Sequence, residues 1–374
     1  MPRVLLQNNS SLADSERRDT KLASIGILTA APADPRTGSG CAVATSNLAK
    51  GAQRLGVGVR VFRPEFQLPV VAAQRILFNQ LLRFEDMSGV DAMIGIDLDG
   101  YAVPRSGTPH IANIKGVLAD AVPFESGFTK ASMAIQASLE ARHVRRADRV
   151  VTISKYCAEN IRRRYGYRGP IGIVPESIDL GEWRLRLCNS EAGPPAGRFV
   201  VLCVCRHYPR KQVDVLLHAT ARAVRQAPDL LVRIVGDGPR RCNWQRLARE
   251  LGLERNVEWV GPVSFGDLAR QYSSAHAFCL PSAQEGFGIV FLEAMAAGLP
   301  VIAANAAATP EVVPNGLLCR PGCVEEFAGT LLRLHDDPEL RSSMARTGAE
   351  RVKRFDTLTV TRQFLKQVEL CGTA

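Results

Sequence analysis

The chain has 374 residues, more than one hydrophobic core usually holds, so two units of roughly 150–200 residues each are expected. Hydrophobic residues make up 46% and charged residues 22%, ordinary globular values that exclude a disordered or collagen-like chain. Lysine and arginine (47) outnumber aspartate and glutamate (37), and the net charge of +10 suits nucleic acid, an anionic membrane surface or an anionic small molecule.

Residues 1–20 carry charges throughout and lack an apolar core of signal-peptide length, so they read as a flexible arm on a cytoplasmic chain. A first strand is expected over 25–30, a loop rich in Pro and Gly over 31–40, a helix over 41–55 and a strand over 59–62. An amphipathic helix over 67–84 follows, then strands at 92–96, 111–114, 149–153 and 171–174. Strand and helix alternating at this spacing signal a parallel α/β sheet. Residues 189–198 (NSEAGPPAGR) break the composition and suit a linker. The pattern then restarts, with strands at 199–205, 230–235, 257–260 and 277–280 and helices at 214–227, 241–251 and 265–274. Two Rossmann-like units, 21–188 and 199–352, are therefore expected, with a last helix in 353–374 packing back on the first. A hinge between them puts a cleft at the carboxyl ends of both sheets, where ligands bind.

The longest candidate for a membrane span, 289–308, is interrupted by Glu293 and Pro300, so no span is expected. Ten cysteines are scattered without zinc spacing, and no H-E-x-x-H occurs, so buried thiols and no metal are expected. Two basic runs, 142–149 (RHVRRADR) and 162–168 (RRRYGYR), read as solvated helix faces. The sharper alternative is that Arg162, Arg163 and Arg164 draw the chain onto an anionic leaflet. Neither run has the interleaved aromatics of a single-strand binder, so nucleic acid is not expected.

Gly38-Ser39-Gly40 lies between the first strand and helix, where bare amides and the helix dipole suit a phosphate. Val43 stands where a dinucleotide fingerprint has its third glycine, and a loop that merely turns is the alternative. Asp97-Leu98-Asp99-Gly100 follows a strand at its cleft end, as acceptor-hydroxyl ligands or as a plain Asp-Gly turn. The strongest pattern is Glu285-Gly286-Phe287-Gly288-Ile289-Val290-Phe291-Leu292-Glu293. Glu285 falls in a loop and Glu293 one to two turns into the next helix, only about 8 Å from its start. Both carboxylates can thus face one elongated ligand, with the amides of Phe287, Gly288 and Ile289 between them. Amides suit a diphosphate, and carboxylates suit sugar hydroxyls on either side.

Residues 281–313 (PSAQEGFGIVFLEAMAAGLPVIAANAAATPEVV) resemble the donor-binding signature of retaining glycosyltransferase family 4. The blocks 147–154 (ADRVVTIS), 173–179 (IVPESID), 203–211 (CVCRHYPRK) and 234–239 (IVGDGP) extend the resemblance in order. It implies the GT-B fold, two Rossmann-like domains facing across a cleft, and a nucleotide-diphosphate sugar (UDP- or GDP-sugar) as donor, with no cofactor and no metal. By the same resemblance Arg206 and Lys211 neutralise the donor pyrophosphate, Glu285 holds the donor sugar and Glu293 the ribose. Gly40, Phe287, Gly288, Ile289 and Val290 line the donor, and Val263 meets the nucleobase through its backbone. The chain departs from the family's pattern at Lys115, where His is frequent, at Cys205 and Gln212, where Gly is usual, and at Glu176-Ser177, where Asn-Gly is frequent. A variant acceptor site on an intact donor site is the reading, with Asp97, Asp99 and Lys115 as acceptor residues.

The expected function is transfer of a sugar, with retention, to a hydroxyl on a sugar, lipid-linked or small-molecule acceptor. The alternatives are a catalytically silent nucleotide-sugar or polyanion binding protein and, further off, a nicotinamide-dependent oxidoreductase, which the missing glycine disfavours.

Overall fold

A computed structural model of the chain describes residues 20–30, 40–104, 107–190 and 193–371. All of the expected arm but Thr20, and Gly38 and Ser39 of the glycine loop, lie outside the described residues. The described strands form two six-stranded sheets. The first uses β1 (Ser24–Leu28), β2 (Gly58–Phe62), β3 (Ala92–Ile96), β4 (His110–Ile114), β5 (Arg149–Thr152) and β6 (Ile171–Ile173). The second uses β7 (Phe199–Val204), β8 (Leu230–Val235), β9 (Val257–Gly261), β10 (Ala277–Leu280), β11 (Val301–Ala304) and β12 (Leu317–Cys319). Their orders are β2-β1-β3-β4-β5-β6 and β12-β11-β10-β7-β8-β9, with all neighbours parallel.

Parallel neighbours need crossover helices, and helices on both faces bury both faces of each sheet. That is why β3 and β10 are apolar runs without alternation, buried at every residue. The expected pair of Rossmann-like parallel sheets is therefore present. In each sheet the chain order reverses once, between β1 and β3 and between β7 and β10. Doubly wound sheets take ligands in the crevice outside the carboxyl ends at such a reversal.

Boundaries differ where side chains intervene. The helix expected from residue 67 starts at Val71, because Pro69 bars a helical Leu68. The Gln74 side chain accepts the Leu68 amide instead, at 2.9 Å. The basic runs read as helix faces lie at the ends of helices Gly127–Arg146 and Lys155–Tyr165, whose full extents the sequence does not announce, and helix Leu180–Cys188 is not among the expected elements.

The chain crosses between lobes twice. Helix Leu180–Cys188 packs on Phe265–Ser273 and Ile289–Ala296 of the second lobe. Helix Thr357–Glu369 returns to Gly40–Arg54, where Val360, Phe364, Leu365 and Val368 share a core with Ile25, Ile27, Leu48 and Ala52. The crossings are hydrogen-bonded to each other: Ile178 N donates to Phe355 O (3.0 Å) and Thr357 N to Ile178 O (3.1 Å).

Candidate active site

At the reversal in the second sheet, the loop after β7 and the loop after β10 lie side by side. Ala283 N donates to Arg210 O at 2.8 Å, tying the two together. The tie brings Lys211 Nζ onto Glu285 Oε1, an ion pair in which both side chains are about nine-tenths buried. Burial pushes Glu285 up, but Lys211 and then Arg210 outweigh it and hold the carboxyl below its ordinary value. Arg206 is exposed at the end of β7.

Helix Ile289–Ala296 starts beside this pair with no side-chain cap. Its first-turn amides are left for water or a ligand, and its dipole favours an anion there. The start depends on Gly288: its φ is +93°, and a Cβ there would lie 2.6 Å from the Phe291 ring. Glu293 is one turn further along and buried. Its Oε2 accepts from Tyr272 Oη at 2.8 Å, and its carbonyl accepts from Trp183 Nε1 at 3.2 Å. Burial pushes the Glu293 carboxyl up to about 7, with the Tyr272 bond opposing. Phe287 turns inward, edge-to-face with Phe355 at 5.6 Å, so only its backbone is offered to a ligand. Val263 is partly buried in the turn after β9.

Gln212, next to Lys211, has φ +48° and ψ +42°, a left-handed conformation that explains the glycine usual there. Its Oε1 is buried without a partner among the described residues. Left-handed backbone costs a side-chain-bearing residue about 1–2 kcal/mol, partly offset by the chain entropy a glycine adds to the unfolded state. Gln212→Gly is therefore expected to stabilise by about 0.5–1 kcal/mol, a rise of about 1–2 °C in Tm. A lower Tm in a scanning calorimeter would show that the side chain has a positive role.

At the reversal in the first sheet, Asp97 follows β3 with φ +55°, partly exposed. Its Oδ1 accepts from Lys115 N (2.8 Å), and Cys41 Sγ lies 3.8 Å from Oδ2. Lys115 Nζ pairs with Glu176 Oε2 at 3.1 Å, both largely buried. Gly40 is exposed, opens helix Gly40–Arg54, and has open space where a Cβ would be. Asp99 corrects the sequence reading: it is wholly buried, holding Arg75 (3.0 Å), Asn79 (3.1 Å) and the Ala30 amide (2.8 Å). It fixes the loops after β1 and β3 and offers no surface to an acceptor. Glu176 was noted in the sequence only as a departure. Its signal was that it and Lys115 depart together, an acid and a base that compensate.

The lobes meet along the loop that carries Glu285. Ser154 Oγ donates to Gly286 O at 2.8 Å, and Gln284 Nε2 to Asp120 Oδ2 at 3.2 Å. A Cβ on Gly286 would stand 3.2 Å from Lys115 O, so glycine permits this approach. The start of helix Lys155–Tyr165 binds Glu311 of the second lobe through the Lys155 and Tyr156 amides, at 2.9 and 2.8 Å. The basic runs are partly committed: Arg164 pairs with Asp120 (2.8 Å), Arg163 bonds Asn160 (2.9 Å) and Arg149 bonds Gln367 (2.7 Å). Among the described residues no group of three or more His, Cys, Asp or Glu could hold a metal ion, and no helix is long and apolar enough to cross a membrane.

Residues 189–351 match the family model of glycosyl transferases group 1. A D-inositol 3-phosphate glycosyltransferase of Saccharomonospora viridis is 33% identical over 242 residues, 60% of this chain and 56% of that protein. A GDP-mannose-dependent monoacylated alpha-(1-6)-phosphatidylinositol monomannoside mannosyltransferase of Corynebacterium glutamicum is 28% identical over 226 residues, 55% of this chain and 58% of that protein. The matches thus span little more than half the length of these relatives. Sucrose-phosphate synthase from Thermosynechococcus elongatus superposes with a TM-score of 0.76 at 20% identity, covering 93% of this chain and 98% of its own. These likenesses agree with the resemblance carried by the motif: residues 189–351 match the glycosyl transferases group 1 model, and the two facing sheets have the two-domain GT-B fold of the solved structure.

Proposed function

We propose that the protein transfers a sugar, with retention, from a nucleoside diphosphate sugar to an acceptor hydroxyl. The observation that carries the reading is the buried Lys211–Glu285 pair beside the uncapped start of helix Ile289–Ala296. The mannosyltransferase relative, named for GDP-mannose, supports a donor of this class. In this reading Glu285 takes hydroxyls of the donor sugar and Glu293 takes the ribose diol. The amides from Phe287 to Val290 and the exposed Gly40 backbone receive the diphosphate, and Val263 borders the base. As the anomeric carbon–oxygen bond to phosphate breaks, negative charge grows on the leaving group. Lys211 and Arg206 then bind it more strongly than in the ground state, which is what lowers a barrier. The acceptor hydroxyl attacks from the same face, and its proton passes to the leaving phosphate oxygen. Asp97 and the Lys115–Glu176 pair border the acceptor. No cofactor or metal enters these steps.

The test is a panel of nucleotide sugars assayed for nucleoside diphosphate release, with the anomeric configuration of the product read by NMR. Retained configuration is expected. Absence of both binding and release across the panel would leave a polyanion-binding protein as the better account.

One observation favours an acceptor presented at an anionic lipid surface. Val71 (64% exposed), Phe84 (85%), Phe128 (77%) and Ile135 (57%) stand out on the first lobe, in company with the exposed Arg83 and Lys130. These side chains add to the exposed Arg162, Arg163 and Arg164 as candidates for that contact. Burying one such aromatic contributes about 1.5–3 kcal/mol and each nearby cation about 1 kcal/mol. Phe84→Ser with Phe128→Ser is expected to weaken co-sedimentation with anionic vesicles at least tenfold. A parent protein indifferent to those vesicles would favour a soluble acceptor.

A further inference from the structure

Between the lobes lies an open-sided cavity of about 350 Å³ that has Glu293 in its wall. That is within the size range of small-ligand pockets, about 300–1,000 Å³. Lys50 lines it from the first lobe, Glu182 and Arg186 from the crossing helix, and Phe265 from the start of helix Phe265–Ser273. A ribose held by Glu293 therefore has its base beside these groups.

Their chemistry is specific. The Glu182 carboxylate accepts from Lys50 Nζ on Oε2 (3.1 Å) and from Arg186 Nη2 on Oε1 (2.5 Å). The Arg186 guanidinium lies over the Phe265 ring, 4.6 Å from its centre. Arg186 Nε is buried and has no partner among the described residues. Phe265 meets Trp183 edge-to-face at 5.9 Å. The cavity thus combines flat apolar walls with an acceptor flanked by two cationic donors.

We propose that this cavity takes the base of the donor and that the base is guanine, Glu182 accepting from its N1–H and 2-amino group while Lys50 or Arg186 donates to its 6-oxygen. The inference rests on the nucleotide-sugar reading above. The edge of guanine presents one acceptor followed by two donors, the complement of a cation beside a carboxylate. Uracil presents acceptor, donor, acceptor, which would set a carbonyl oxygen against the Glu182 carboxylate. Adenine has a single amino group on that edge and leaves one carboxylate oxygen without a new donor. A purine also has the larger face to stack on Phe265 and Arg186.

The test is calorimetric binding of GDP, IDP, UDP and ADP to the full chain. Inosine lacks only the 2-amino group, so comparing GDP with IDP reads the second hydrogen bond without altering the protein. GDP is expected to bind about tenfold or more tightly than each of the others. Glu182→Gln should abolish the GDP-over-IDP difference and leave UDP affinity within about twofold of the parent. Equal binding of GDP and UDP, or of GDP and IDP, would overturn the guanine pocket and leave the nucleotide-sugar reading standing. Failure of all four diphosphates to bind would sink both. A variant that does not fold leaves the comparison on the parent protein decisive.

Discussion

Lys211→Met is expected to damage the protein in two separable ways. It strands Glu285 as a buried carboxylate without its partner, and breaking such a pair from one side destabilises by about 3–5 kcal/mol. In the proposed transfer it also removes a cation from the place where leaving-group charge develops, an effect of about 10²–10³-fold in turnover. The second change Glu285→Gln neutralises the stranded charge, so the double variant should regain most of the stability and none of the turnover. Urea denaturation and initial rates measure the two effects apart. The depressed Glu285 carboxyl sets the pH sign. Its stabilising contribution is present above the ordinary carboxylate range and is lost as pH falls through the folded value. Lys211→Met should therefore lose more stability against the parent at neutral pH than in acid. A single variant as stable as the parent would mean that Glu285 finds another partner, and the pair would lose its structural role.

Donor affinity should depend on pH through Glu293, with the opposite sign of shift. Burial raises its carboxyl to about 7, and a ribose diol is held best by the carboxylate. Affinity for a nucleotide sugar should then fall about tenfold from about pH 8 to about pH 6 as the group takes up a proton. Glu293→Gln should bind the donor more weakly by about 1.5–3 kcal/mol at the higher pH and show no such slope. The same variant should be no less stable than the parent at high pH, because the parent must ionise a buried acid there. A nucleotide sugar is the right probe, since its diphosphate has no proton to exchange in this range. A flat profile in the parent would remove Glu293 from the ribose.

The sequence made the donor lobe readable because its rules there are local. Glycines at 286 and 288 mark close approach and a bare helix start, and two acids with seven residues between them are, in the proposed reading, the two ends of the donor site. The first lobe hid more, since its decisive contacts are long-range. Helix Gly127–Arg146 buries Gln136, Glu140 and His143 along with its apolar residues, so no clean apolar stripe announces it. Glu140 accepts from the Leu118 amide and bonds Tyr165, partners far apart in the chain. Asp99 looked like a cleft residue from its position after a strand, but Arg75 and Asn79 from a distant helix claim it. Phe265 and Glu182 become neighbours of Glu293 only once the crossing helix has docked.

The bonded crossings have a mechanical consequence. Two separate tethers between lobes would permit twisting, sliding and bending alike. Ile178 locked to Phe355 and Thr357 makes them one joint, lying close to the crossing helix whose Trp183 grips the Glu293 carbonyl. Once the contacts at Ser154, Gln284 and Glu311 part, swinging about this joint is the motion expected of the lobes. The loop bearing Gly286 rests on Lys115 and Ser154 across the gap between the lobes, so a swing about the joint would part these contacts. In the proposed transfer, entry of a donor and release of its product would be one swing in two directions.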